Sequence, residues 1–238
     1  MATVLQLSDI HLSADRAPLY GRDGDARLAL VLEAYRACGE VADLVLLTGD
    51  LADDGSRAAL ERLAAAVAEL GAPVLAVPGN HDTAGHVRDV FPGGAAEAGA
   101  WRVVGVDTSR PQQVHGTVDA AAELARIDAY DSRPTLLALH HPPVSPSDNP
   151  WFGLDGGDDL VAGLGARGHV RAIVSGHLHE PFDRTAGPAP GVRVLGAPST
   201  IMAIRHTGTD YVIGDGVAGA RLLALGADGS LATRVLPA

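Results

Sequence analysis

The sequence predicts a layered α/β fold with a second sheet packed on the first. Three observations point there. Strand-like and helix-like segments alternate through the first three-quarters of the chain, and the last quarter reads as a run of short strands. No internal repeat, low-complexity tract or clear linker interrupts the 238 residues, so a single domain spanning 1–238 is expected. At 47% hydrophobic residues such a domain can bury a substantial core, and with aromatics at 4% that core must be filled by Val, Leu and Ala.

The elements follow in order. Val4–Leu7 is a short strand. Ala26–Cys38 carries Leu28, Val31, Leu32 and Tyr35 at helical spacing and stops near Gly39. Asp43–Leu47 is a buried strand by its continuous apolar run. Ser56 is an N-cap for a helix through Leu70, closed by Gly71. Val74–Val77 and Trp101–Val106 are strands, and Val118–Tyr130 is a helix. Thr135–Leu139 and Val170–Val174 are strands separated by the long Pro-, Asp- and Gly-rich loop Pro142–Gly157 and a helix at Asp158–Leu164. In the tail, Val192–Leu195, Tyr211–Ile213, Ala220–Leu225 and Leu231–Leu236 read as strands, with a hairpin signal at Ala227–Ser230. These tail strands are expected to supply the second sheet.

Composition narrows the function. A formal net charge of −11 with no basic run disfavours a nucleic-acid partner. The single cysteine, Cys38, excludes an internal disulfide, fits a reducing compartment and reads as a buried small hydrophobe. With no signal-peptide pattern and no apolar stretch approaching the roughly 20 residues of a spanning helix, a soluble, cytoplasmic protein without a membrane partner is expected.

The chemistry is concentrated in five short clusters, each at the end of a predicted strand, that hold six of the ten histidines. Asp9-Ile10-His11 places two donors at i and i+2, which on an extended segment point the same way. Gly49-Asp50 projects a carboxylate whose two oxygens can bridge two cations. Gly79-Asn80-His81-Asp82 combines a neutral oxygen donor, an imidazole that can reach substrate, and a carboxylate that can orient that imidazole and raise its pKa. His140 and His141 precede Pro142 on opposite faces of an extended chain, so His140 is the favoured ligand and His141 a supporting or substrate-facing residue. His177 and His179 repeat the i, i+2 spacing after Ser175-Gly176. Asp53 and Asp54 read as turn residues, and His86, His115, His169 and His206 as surface or satisfied polar groups, His206 being the best placed of the four to approach the site. Asp, Asn and His bind borderline and hard divalent metals, and strand ends along one sheet edge are where α/β proteins place ligands. Two metals in one site point to phosphoester hydrolysis.

This ordered set of D-x-H, G-D, G-N-H-D, H-H-P and G-H-x-H resembles the calcineurin-like metallophosphoesterase superfamily, over Asp9 to His179. The segments Leu19–Asp23, Val106–Arg110, the Gly116 turn and Gly196–Thr200 are similar to its class III cyclic-nucleotide phosphodiesterase group, which also includes glycerophosphodiesterases. The resemblance implies a four-layer α/β/β/α sandwich without a large cap domain and a dinuclear centre between the sheets. One metal would take Asp9, His11, Asp50 and His179, the other Asp50, Asn80, His140 and His177, with iron or manganese as the implied ions and zinc or cobalt also compatible with these donors. The implied activity is hydrolysis of a small phosphodiester by metal-activated water. A 3′,5′-cyclic nucleotide is the first substrate and a glycerophosphodiester the second. His81, paired with Asp82, is the expected catalytic residue, and the Trp151-Phe152 pair is placed to stack a base or to anchor the loop. A non-catalytic metal-binding scaffold is disfavoured because no ligand position is missing. Small members often pair, so a homodimer is compatible, although no segment announces an interface. The segment after Thr200 carries no assigned role.

Overall fold

The computed structural model describes residues 1–238 apart from Pro92, Gln112 and Ala189. In chain order the strands are β1 (Ala2–Leu7), β2 (Leu44–Thr48), β3 (Val74–Val77), β4 (Ala95–Ala98), β5 (Trp101–Gly105), β6 (Gly116–Thr117), β7 (Thr135–Ala138), β8 (Leu154–Asp155), β9 (Val170–Ser175), β10 (Phe182–Ala186), β11 (Val192–Gly196), β12 (Ile204–Thr207), β13 (Asp210–Ile213), β14 (Gly219–Leu225) and β15 (Leu231–Pro237). The helices are α1 (Gly24–Ala37), α2 (Arg57–Ala68), α3 (Ala84–Val90), α4 (Ala120–Asp128) and α5 (Gly157–Leu164). Side-chain caps start three of them: Asp23, Ser56 and Asp119 accept from the backbone N–H of Ala26, Ala59 and Ala122 respectively. Among the described residues, no helix is long and apolar enough to cross a membrane.

Two sheets carry the molecule, in the orders β15-β14-β1-β2-β3 and β10-β11-β9-β7-β5-β4. Strands β1, β2 and β3 are parallel neighbours, as are β5, β7, β9 and β11. Antiparallel strands flank them: β14 and β15 beside β1, β4 beside β5, and β10 beside β11. The period of two decides the layering. Val4, Leu44 and Leu46 face inward and meet Trp101, Val103, Leu136 and Val174 of the other sheet. Leu5, Leu7, Val45 and Leu47 face outward onto Leu28, Leu60, Leu63 and Val87 of α1, α2 and α3. On the far side, Val104, Leu137, Ile173 and Val194 pack against Ile127 of α4 and Leu160 and Leu164 of α5. The order is therefore α/β/β/α. Strands covered on both faces need apolar residues at every position, which is why β2 and β7 read as unbroken apolar runs.

The assembly of the second sheet differs from the sequence expectation. Of the expected tail strands only Val192–Leu195, found as β11, joins it. β14 and β15 pair beside β1 in the first sheet, and β12 and β13 form a separate hairpin. The second sheet is formed mainly by β4, β5, β7 and β9, with β11 beside β9 and β10 on its edge. Strand pairing between distant segments leaves no local trace, so a run of tail strands cannot report which sheet it joins. Helix α3 and strands β4, β10 and β12 were also not anticipated. The seven residues of α3 have no side-chain cap bond and bury only Val87, too little for a periodic signal. Cys38 caps α1 and is half-buried against the core, where full burial was expected.

Trp101 is fully buried between the sheets, and its indole N–H donates to the Gly226 carbonyl at 2.7 Å. Trp101→Ala is expected to cost about 3–5 kcal/mol, a fall of roughly 6–20 °C in the thermal midpoint. Trp101→Phe should lose less, because it keeps most of the ring volume. Circular-dichroism melts check this, and an unchanged midpoint for the alanine variant would contradict the inter-sheet core.

Candidate metal centre

Strands β1, β2, β3, β7 and β9 deliver their following residues to one edge of the sandwich, and all five sequence clusters meet there. The backbone that presents them is unusual. Asp9 (φ 51°), His11 (51°), Asp50 (50°), His177 (71°) and His179 (55°) all lie in the left-handed region, which costs a non-glycine residue of order 1–2 kcal/mol. Local hydrogen bonds hold them there: the N–H groups of Ile10 and His11 both donate to the Asp50 carbonyl, at 2.9 and 3.0 Å, and the His177 N–H donates to the Asp9 carboxylate at 3.0 Å. The i, i+2 pairs therefore converge because the chain turns after each residue. The extended alternation expected for Asp9-His11 and His177-His179 is absent. Close approach also requires glycine at two points. A Cβ on Gly49 (φ 86°) would lie 2.4 Å from His140 Nδ1, and one on Gly176 would lie 2.0 Å from Ser8 Oγ and 2.7 Å from Asp9 Oδ2.

Donor atoms gather in overlapping groups within which all lie inside 4.8 Å of one another: Asp9, His11 and His179; His140, His141 and His177; His11, Asp50 and His81; and Asp9, Asp50 and His140. Asp50 belongs to groups on both sides. Asn80 is half-buried, with its Oδ1 3.2 Å from His140 Nε2.

The hydrogen bonds fix which ring nitrogens point inward. A carbonyl can only accept, so His140 Nδ1–H donates to Thr48 O (2.8 Å) and His179 Nδ1–H to Met202 O (3.1 Å). His11 Nδ1 lies 3.0 Å from Asp53 Oδ1, a carboxylate acceptor. In their neutral forms all three rings thus aim an Nε2 lone pair into the site. His11 Nε2 and His179 Nε2 face each other at 3.2 Å, and His140 Nε2 faces the oxygens of Asn80 and Asp50 at 3.2 and 3.4 Å. Acceptors cannot share a focus without a positive centre between them. His177 Nε2 is buried with no hydrogen-bond partner among the described residues. A polar atom left in that condition costs about 1–3 kcal/mol unless something binds it. The residues present therefore fit a dinuclear metal centre, with His11, His140 and His179 each oriented by a carbonyl or carboxylate behind the ring.

Where no ion sits, a proton can take the place of that positive centre. Burial opposes ionisation of Asp50, yet the charges of His140, His11 and His81 hold its carboxyl well below the usual range. Burial likewise opposes charge on His140, and Asp50 overrides it, raising the imidazole to about 9. His177 is held well below its ordinary value by burial and by neighbouring His141 and His140, so it is a neutral donor. His141 is pushed down to about 3 by burial and by His140. Its two nitrogens meet Thr108 Oγ1 (2.8 Å) and Val114 O (2.9 Å), so despite its place in the cluster it braces the loops around the site.

The partner of His81 is not Asp82. The Asp82 carboxylate accepts from the backbone N–H of Leu51, Ala52 and Gly79, at 2.8–3.1 Å for its nearest oxygens, and ties β3's loop to β2's. Desolvation and the nearby Asp50 raise Asp82 to about 7. The imidazole of His81 meets Asp53, with Nδ1 3.1 Å from the carboxylate and 3.2 Å from the backbone carbonyl. Desolvation lowers His81, but Asp53 and Asp50 outweigh it and raise the ring to about 9. Asp53, read from sequence as a turn residue, thus supports both His11 and His81. Its only local signal is a second acid three residues after Asp50. Ser199 was likewise given no role, yet its hydroxyl donates to the Asp9 carbonyl at 2.8 Å. Phe152 is buried with its ring centroid 5.3 Å from that of His177, while Trp151 is 62% exposed. His86 and His115 find backbone carbonyl partners at Gly55 and Pro150. His206 Nε2–H donates to Leu178 O at 3.0 Å, between the two His-loop ligands.

Asp50→Ala removes the carboxylate expected to be common to both ions. It is expected to reduce bound metal to near zero by inductively coupled plasma mass spectrometry, and retention of two ions per chain would remove Asp50 from the bridging position. Gly176→Ala should also lower metal content, because its Cβ would collide with Ser8 and Asp9.

A family model described as calcineurin-like phosphoesterase matches residues 2–181. A probable cyclic nucleotide phosphodiesterase of Synechococcus sp. is 34% identical over 211 residues, 84% of this chain and 81% of that protein. A 3′,5′-cyclic adenosine monophosphate phosphodiesterase of Pseudomonas aeruginosa is 34% identical over 98% of this chain and 88% of its own length, and one of Escherichia coli K12 is 32% identical with the same coverage. Among solved structures, a dimetal phosphatase from Danio rerio matches with a TM-score of 0.65 over 99% of both chains at 15% identity. A purple acid phosphatase from yellow lupin matches with a TM-score of 0.66 at 16% identity, covering 98% of this chain and 51% of that one. At such identities the structural likeness speaks for the fold alone. With the fold, the donor set and the relatives in agreement, the chain belongs to the calcineurin-like phosphoesterase family.

Proposed function

We propose that this protein is a metal-dependent phosphodiesterase that hydrolyses 3′,5′-cyclic nucleotides. The observation that carries the reading is the convergence of imidazole lone pairs on the Asp9 and Asp50 carboxylates, with the exposed His81 beside them. In this reading Asp9, His11, Asp50 and His179 would hold one ion, and Asp50, Asn80, His140 and His177 would hold the other. Iron and manganese suit these N and O donors. Two such ions supply the positive charge that polarises a phosphoryl group and activates water for attack.

The chain's own residues do the rest. Asp53 holds His81 Nδ1, which leaves Nε2 for the substrate. His81 sits between two cavities and is the one histidine of the cluster that is exposed. It is placed to donate a hydrogen bond to a phosphoryl oxygen as charge develops there, and to hand a proton to the departing alkoxide. Asp82 acts at one remove, by fixing the loop that carries Asn80 and His81. The neutral His141 and Thr108 keep the His140 loop in register. The protein's net charge of −11 makes a long polyanion a poor partner, whereas a single phosphodiester would meet a pocket that two bound cations make locally positive. A glycerophosphodiester is the second substrate class compatible with this chemistry.

The test is a substrate panel on manganese-loaded protein of verified metal content: bis(p-nitrophenyl) phosphate, cyclic AMP and glycerophosphocholine. Turnover of the first two is expected, and silence on all three would defeat the reading. His81→Ala should lower turnover of cyclic AMP by about a hundredfold or more with metal content retained. A rate equal to wild type would remove His81 from the chemistry.

A further inference from the structure

Resting on the cyclic-nucleotide reading, we infer that Tyr20 is a specificity-determining residue that stacks on the substrate's base, with Tyr211 on the same cavity wall. A cavity of about 170 Å³ opens directly on His11, Asp50, Asn80, His81, His177 and His179. Its remaining walls are Leu19, Tyr20, Val114, Phe152, Met202, Ile204, Tyr211 and Ile213, none of them charged. A phosphodiester seated at the metal ligands must lay one substituent along this surface. The walls suit a flat, largely apolar ring system. They offer no further carboxylate to meet a cationic headgroup.

Tyr20 stands apart from the other wall residues. It is 66% exposed, so core packing does not hold it in place. Yet its backbone sits at φ 47° in the tight turn Leu19–Arg22, followed by Gly21 at φ 74° and closed by reciprocal hydrogen bonds, Leu19 N–H to Arg22 O at 3.0 Å and Arg22 N–H to Leu19 O at 2.9 Å. Turns with positive φ at both central positions favour Asn, Asp or Gly at the first, and a bulky ring there is a genuine outlier. The fold tolerates an unfavourable residue at a position whose exposed side chain lines the cavity. Strain of that kind gathers at ligand clamps. Tyr211, 41% exposed on β13, stands on the hairpin side, where Phe152 bridges it to the metal centre: the Phe152 ring lies 5.8 Å from that of Tyr211 and 5.3 Å from that of His177. The segment after Thr200, given no role by its sequence, thus supplies part of the base-side wall.

The decisive variant is Tyr20→Asn, which removes the ring while supplying a residue the turn prefers. With manganese-loaded protein, KM for cyclic AMP is expected to rise about tenfold, the size of one lost base–aromatic stack. Metal content and thermal midpoint should stay at or above wild type, and Tyr20→Phe, which keeps the ring, should restore a low KM. An active wild type with unchanged KM in Tyr20→Asn overturns the base contact alone. A KM rise accompanied by loss of metal, or one not rescued by Tyr20→Phe, assigns Tyr20 a structural or hydroxyl-dependent role and also overturns it. A wild type that turns over bis(p-nitrophenyl) phosphate but not cyclic AMP removes the cyclic-nucleotide reading itself, and the base contact with it.

Discussion

Two buried carboxylates, Asp9 and Asp50, sit at one sheet edge with no lysine or arginine paired to them among the described residues, and the rest of the structure answers to that constraint. Burying like charges together is costly unless positive charge is supplied at the same place. Around them stands a ring of imidazoles whose inward nitrogens carry lone pairs when neutral, so the positive charge is left for bound cations to supply. Such a shell is poised for cations and is a poor packing solution for anything else. The backbone carbonyls of Thr48 and Met202 and the carboxylate of Asp53 set the tautomers of three rings, so the supports behind the donors matter as much as the donors.

The sandwich makes this arrangement affordable. Eleven strands in two sheets bury nearly every apolar residue of β1, β2, β7 and β9, and those strands stop at one rim. A rigid rim can hold five donor residues in left-handed backbone, because the strain is small beside the burial that anchors each strand. Hydrogen bonds then cross between loops: Asp9 to the His177 loop, Asp82 to the Asp50 loop, Ser199 to Asp9. No single loop could keep its geometry alone. Longer segments, 142–157 and 204–213, lie above the rim and shape the space where the organic part of a substrate must go.

Much of the fold was legible because its strands are covered on both faces and its helices have caps. Continuous apolar runs at Asp43–Leu47 and Thr135–Leu139 and the cap at Ser56 all mark elements found in the structure within a residue or two at their starts. The donor residues were legible for a different reason. Asp, Asn and His clustered behind strand ends have few uses apart from chemistry. What could not be read was pairing across distance. β14 and β15 join the first sheet, where Leu223 and Leu225 of β14 and the partly buried Leu231 of β15 complete its face of the inter-sheet core, a fact that no local pattern encodes. The same limit hid Asp53, whose value lies in two rings 42 and 28 residues away along the chain.

The sequence by itself determined the class of fold, the family and the candidate donor residues, since each depends on residue type and local spacing. Tertiary structure alone decided how those donors act. It chose Asp53 over Asp82 as the partner of His81, turned His141 outward onto Thr108 and Val114, and made strained turns, not extended strands, the reason that i, i+2 pairs converge. Side-chain identity is written in the chain. The direction in which a lone pair points is set by hydrogen bonds between segments that meet only after folding.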